Sequence, residues 1–184
     1  MRPTLRAMAR LERLASDVAT VVGTGHWVHD VRSLHLTARV LERPSREGPT
    51  DDRIAAYASA MDDAAGGMNP FDVEYRGVAA HSGGVLALAH WTPEGPPLLY
   101  DRLAIALAER GMVDRDSGRN RDLWYTGLLH FAAPVTQVSA LLEWTELRRD
   151  LSIGGNRCDR IELIKWNYTG SGLVAETFHV AQLG

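Results

Sequence analysis

The chain has 184 residues, 45% of them hydrophobic, 23% charged, with a formal net charge of −3. That length buries a sizeable core and fits one domain over residues 1–184. The charge excludes a strongly basic nucleic-acid footprint, the single cysteine, Cys158, excludes an internal disulfide and a cysteine-based zinc site, and no apolar run approaches the roughly 20 residues of a membrane span.

In chain order, Leu5, Met8, Leu11, Ala15, Val18 and Val22 recur at helical spacing, ended by Gly23 and Gly25. The same segment carries Arg2, Arg6, Arg10, Glu12, Arg13 and Asp17 and is too polar for a signal-peptide core. With one cysteine, this predicts a cytoplasmic protein. Val31 to Leu41 reads as a strand and Pro44 to Pro49 as a charged loop. Thr50 is the N-cap of a second helix, with Asp51 and Asp52 at its positive end and Ile54, Ala58, Met61 and Ala65 on one face; Gly66-Gly67 stops it. Phe71, Val73 and Tyr75 alternate with charged residues, and with Val85 to Trp91 they predict a hairpin turning at His81 to Gly84. Pro96-Pro97 opens a third helix with Leu99, Leu103 and Leu107 inward and Gly111 as its cap. Asp122 to Phe131 reads as a strand, and a fourth helix follows Pro134 and Thr136 to about Leu151. Gly154-Gly155 reads as a helix stop. Ile161 to Tyr168 and Leu173 to Val180 form a closing hairpin around Thr169 to Gly172. Alternating helices, strands and hairpins predict an α+β domain with a mixed or antiparallel sheet and helices on its outer face. The succession of strand, helix and hairpin after His35 recurs after Trp124.

In a strand, side chains alternate between faces. In Leu34-His35-Leu36-Thr37, His35 and Thr37 therefore share one face, while Leu34 and Leu36 line the other. Leu123-Trp124-Tyr125-Thr126 repeats the pattern with Trp124 in place of the histidine. A base and a hydroxyl side by side suit acid–base work. An indole donates a hydrogen bond but does not titrate, so Trp124 either stacks on a flat ligand or fills core space.

These residues carry a resemblance. His26-Trp27-Val28 followed by Ser33 to Leu41 resembles the first motif region of the 2H phosphoesterase superfamily, in particular the bacterial 2'-5' RNA ligase and RNA 2',3'-cyclic phosphodiesterase proteins. The resemblance covers nearly the whole chain; the family's usual strand is not evident ahead of the first helix, so either it is absent or the true start lies upstream. It implies two pseudo-duplicated lobes with a central cleft between two His-x-Thr/Ser motifs. One imidazole takes a proton from the attacking oxygen and the other gives one to the leaving oxygen. The hydroxyls steady the phosphoryl oxygens, and neither metal nor cofactor is involved. His35 maps onto the first catalytic histidine, Thr37 and Thr126 map onto the hydroxyls, and Trp124 departs from the motif.

Arg39 shares the face of His35 and is an anion contact or a salt-bridged rim residue. His130 lies six residues beyond Trp124. At about 3.3 Å per residue that places it roughly 20 Å away, too far to replace the missing histidine. His90 and His179 fall in strands and either can face the cleft; His26, His29 and His81 fall in or near loops. Tyr100, Trp166 and Tyr168 are stacking surfaces or core. The leading expectation is a cleft that binds a nucleotide-like or phosphorylated small ligand, with the ancestral chemistry lost or reworked. Three alternatives stay open: a phosphoesterase on RNA ends with a stand-in for the second histidine, a recruited cyclase or isomerase using His35 alone, and a non-catalytic binding module.

Overall fold

The structure, a computed structural model, describes residues 1–43, 47–91, 95–168 and 173–184. Among the described residues, four helices and seven strands follow in the order α1 (Leu5–Val22), β1 (Trp27–Val28), α2 (Asp51–Ala65), β2 (Phe71–His81), β3 (Gly84–Trp91), α3 (Pro96–Glu109), β4 (Tyr125–His130), α4 (Val138–Glu146), β5 (Ser152–Cys158), β6 (Arg160–Tyr168) and β7 (Leu173–Gln182). This is the expected α+β class. Strands β1, β4, β3, β2 and β5 form one sheet in that order, and β6 and β7 form a two-stranded ribbon. The paired strands all run antiparallel. Among the described residues no helix is long and apolar enough to cross a membrane.

Local chemistry sets the helices. Thr4 caps α1 through Ala7 N and Thr50 caps α2 through Arg53 N, each hydroxyl satisfying a free amide of the first turn. Ala7, Leu11, Leu14, Ala15, Val18 and Val22 form the buried stripe of α1. In α2 the buried face is turned from the expected one: Tyr57, Ala60, Met61, Ala64 and Ala65 point inward and Ile54 is half-buried. Tyr57 draws the helix round by donating its hydroxyl to Glu42. Pro96 and Pro97 open α3, and Arg110 rather than Gly111 is its C-cap. Helix α1 lies against β1, β4, β5 and α4, while α2 lies on α3 and the β6–β7 ribbon. The turn of the closing hairpin and part of the charged loop at 44–46 lie outside the described residues.

Two strands differ from expectation. Of Val31 to Leu41, only Leu36 pairs, in an isolated antiparallel bridge to Thr126. On its other side Leu36 exchanges main-chain hydrogen bonds with Met1. The flanking amides go elsewhere: Ser33 N to Asp30 and Val40 N to the Asp116 carboxylate. In the other direction, α4 ends at Glu146 and the Gly154-Gly155 segment is a full strand, β5, paired with β2. A Cβ at Gly155 would stand 2.8 Å from the Val73 carbonyl oxygen, so only glycine permits this approach.

Candidate functional site

The face on which each residue of β4 lies follows from one irregularity. Val85 pairs with Leu129 but Leu86 pairs with Gly127, which leaves Leu128 as an extra residue. The bulge inverts the alternation beyond it. Gly127 and His130 therefore share a face, opposite to Thr126 and Leu129. Trp27 pairs with His130 in β1, so Trp27 and, two residues on, His29 project from that face as well. On the edge segment Leu36 sits opposite Thr126 on the buried side, which turns His35 and Thr37 the other way.

The outcome is a pair of imidazoles in contact, His29 and His130, with a third, His35, within range of their charge. The rings of His29 and His130 meet edge to face with centroids 5.0 Å apart. A Cβ on Gly127 would stand 3.3 Å from His29 Nε2 and 3.7 Å from His130 Nε2, so both nitrogens aim at the space above that glycine. His35 lies close enough to feel the charge of His130 and to influence His29. Aromatic rings wall the cluster: Trp166 against His35 at 4.9 Å, and Trp27 parallel to His29 at 6.1 Å and edge-on to Tyr168. Trp166 and Tyr168 come from β6, so the ribbon closes one side of the site.

Hydrogen bonds fix the imidazole tautomers. His35 Nδ1 lies 2.7 Å from the Ser33 carbonyl oxygen, an acceptor only. The proton is therefore on Nδ1 and Nε2 holds a lone pair. His29 Nδ1 lies 3.1 Å from Ser33 Oγ, and its Nε2 is buried without a partner. Burial lowers the pKa of His29 and of His35 to about 4; His130 and His35 act on His29 in the same direction, and the Met1 ammonium group, Arg2 and then His130 do so on His35. His130 is also held below its ordinary 6.5, first by burial, against a hydrogen bond to the Gly83 backbone. All three rings are neutral at pH 7. The three imidazoles are bases, and the Met1 ammonium group and Arg2 lie within charge range of His35. Among the described residues no three His, Cys, Asp or Glu side chains are grouped as a metal ion would need.

Several residues expected in the cleft stand elsewhere. Trp124 is 1% exposed, packed edge-on against Trp91 and Tyr100 with Arg121 over its ring. Thr126 is fully buried beside it on the inner face. The ligand contacts expected of both are corrected by this placement: they share a face, but the bridge to Leu36 makes it the core face. Arg39 is tied up as well. Its guanidinium makes a two-pronged bond to Asp114, donates to the Tyr100 carbonyl oxygen and covers the Tyr100 ring. It anchors the motif segment to the 110–120 loop and faces no open space. Thr37 is half-buried next to His35. His130, expected at a remote strand end, lies against His29 because the bulge at Leu128 turns it to the face of Gly127. His90 bonds the Arg76 carbonyl oxygen and His179 bonds Asp62, both away from the cluster. His26 packs on Phe131, and His81 stays in the β2–β3 turn.

His35 and Thr37 thus stand on the face their alternation predicts, and His29 and His130 lie near them without having been expected there. The signal lay in Trp27-Val28-His29, whose alternation puts a ring and an imidazole on one face.

No protein-family model matches the chain, nor does any curated protein sequence. Solved structures do. TT0787 of Thermus thermophilus superposes with a TM-score of 0.67 at 17% identity, over 95% of this chain and 92% of that one. Escherichia coli LigT complexed with 3'-AMP superposes with a TM-score of 0.60 at 14% identity, over the same shares. At such identities the likeness establishes the fold.

Proposed function

We propose that this chain, which has the 2H phosphoesterase fold, is an acid–base enzyme for small nucleotide-like phosphodiesters in which the second imidazole has been relocated. His35 acts as base, and His130 supplies the proton that a second-motif histidine would otherwise give. The observation that carries this reading is the contact of His29 with His130 on one sheet face and the placement of His35 within range of the charge of His130, with His35 Nε2 left as a free lone pair.

In the proposed step His35 Nε2 removes a proton from a water as its oxygen adds to phosphorus. The bond to the leaving oxygen breaks as His130 hands it a proton. In the free protein the rings are neutral. A bound phosphodiester anion favours imidazolium beside it, so the substrate helps load the acid. Thr37 donates its hydroxyl to a phosphoryl oxygen as charge develops. The faces of Trp27 and Trp166 give a planar base a surface to stack on, in line with LigT having been crystallised with 3'-AMP. In this reading the reaction takes place in the cytoplasm, with RNA ends among the substrates and no metal or cofactor required.

The test is turnover of a nucleoside 2',3'-cyclic phosphate by the purified protein. Wild type hydrolyses it, and His35→Ala loses on the order of 10²–10⁴ in rate. A second reading, binding without turnover, is favoured by the burial of Thr126, which leaves one motif hydroxyl where two are expected. It predicts thermal stabilisation by the nucleotide with no hydrolysis. Absence of both sinks both readings.

A further inference from the structure

We infer that His29 is a specificity residue whose Nε2 accepts a hydrogen bond from the hydroxyl vicinal to the phosphate of a ribonucleoside monophosphate, the ring-opened product of a 2',3'-cyclic phosphate. The inference deepens the proposed function and rests on it.

The side chain is 5% exposed, and its Nε2 has no partner. A buried polar atom left unsatisfied is costly, and such atoms in folded proteins usually meet a partner that arrives with a ligand or water. The protonation state of Nε2 follows from its other side. Ser33 Oγ accepts from Asp30 N at 3.0 Å and lies 3.1 Å from Asp30 Oδ1. Hydrogen bonds from Arg32 and Ser33 hold the Asp30 carboxyl below the usual carboxylate range, so it is ionised and acceptor-only. Ser33 therefore spends its single proton on Asp30. At His29 Nδ1, 3.1 Å away, the ring must be the donor. The Asp30–Ser33–His29 chain fixes the tautomer with the lone pair on Nε2. That nitrogen can receive a donor and cannot give one.

Position decides which donor. The Nε2 atoms of His29 and His130 converge on the same space, above a residue without a side chain. If His130 addresses an oxygen on phosphorus, the group that His29 receives lies within one or two bonds of that oxygen. A hydroxyl on the neighbouring carbon satisfies this, as in a ribonucleotide; a deoxy sugar does not.

The experiment compares binding of a nucleoside 3'-monophosphate with its 2'-deoxy counterpart by titration calorimetry at pH 7.5, for wild type, His29→Leu and His29→Gln. Wild type prefers the hydroxylated nucleotide by about tenfold, the size of one net hydrogen bond. His29→Leu abolishes the preference while binding the deoxy nucleotide as wild type does. His29→Gln, which can present an amide oxygen near the same place, keeps part of it. If His29→Leu does not fold, imidazole ¹⁵N resonances of wild type replace it, with the His29 Nε2 signal shifting on addition of the hydroxylated nucleotide only. Equal wild-type affinities, an undiminished preference in His29→Leu, or no selective Nε2 shift overturns the inference and leaves the proposed function standing. No binding of either nucleotide together with no turnover overturns both.

Discussion

Replacing Trp124 with histidine would give the second stretch the His-x-Thr pattern of the first, and the structure predicts that this damages the fold without creating an active site. Trp124 is 1% exposed and meets Trp91, Tyr100 and Arg121. A buried aromatic side chain removes about 150–250 Å² from water, and truncating a buried tryptophan typically costs about 3–5 kcal/mol. An imidazole fills only part of the space and brings two polar nitrogens into a region where the indole N–H already lacks a partner. For a chain of this size about 3–5 kcal/mol corresponds to a fall of roughly 6–20 °C in Tm. The assay pairs urea unfolding with turnover of a nucleoside 2',3'-cyclic phosphate. Trp124→His should lose stability of this order and gain no rate. A variant within about 1 kcal/mol of wild type that also gains tenfold or more in rate would refute the assignment of Trp124 to the core face.

Three further outcomes follow from named contacts. The Arg39 and Asp114 side chains are 4% and 2% exposed, so Arg39→Ala strands a buried carboxylate and should cost about 3–5 kcal/mol by urea unfolding; Arg39→Met with Asp114→Leu should recover most of it. His29 and His35 have folded pKa values of about 4 against an ordinary 6.5, so the unfolded chain binds more protons between those limits. Stability is therefore full above about pH 6.5 and falls as pH drops towards 4, by roughly 2 kcal/mol per histidine at pH 5, and His29→Gln should halve the slope of that loss. An unfolding midpoint that does not move between pH 7 and 5 would count against both burials. Gly127→Ala places a Cβ 3.3 Å from His29 Nε2, a contact relieved by a shift of a few tenths of an ångström. It should change stability by less than about 1 kcal/mol while lowering nucleotide affinity about tenfold, measured by calorimetry.

Much of the fold was legible because its signals are local. Capping by Thr4 and Thr50, the stripe of α1 and the alternation of Phe71, Val73 and Tyr75 all act within one element. Strand β5 was not legible, because Gly154 and Gly155 carry no hydrophobic signal; their strand exists through the close approach of β2, a tertiary fact. The site was half legible for the same reason. Periodicity correctly pairs Trp124 with Thr126 on one face but cannot say which face is the core, since the bridge of Leu36 to Thr126 decides that. It also cannot see the extra residue at Leu128, and that single bulge moves His130 from the face of Thr126 to the face of Gly127. His35 needed no such information, because Leu34 and Leu36 on its reverse side are unambiguous core residues.

His35 and His130 are proposed as the working imidazole pair. The direct measurement is the pH dependence of kcat/KM on a nucleoside 2',3'-cyclic phosphate, which reports the ionisations of the free enzyme. The base must be neutral and the acid protonated, so the profile should be a bell with its rising limb near pH 4, from His35, and its falling limb below 6.5, from His130. In His130→Asn the falling limb should vanish. A wild-type optimum above pH 7, or an unchanged bell in His130→Asn, would contradict the claim.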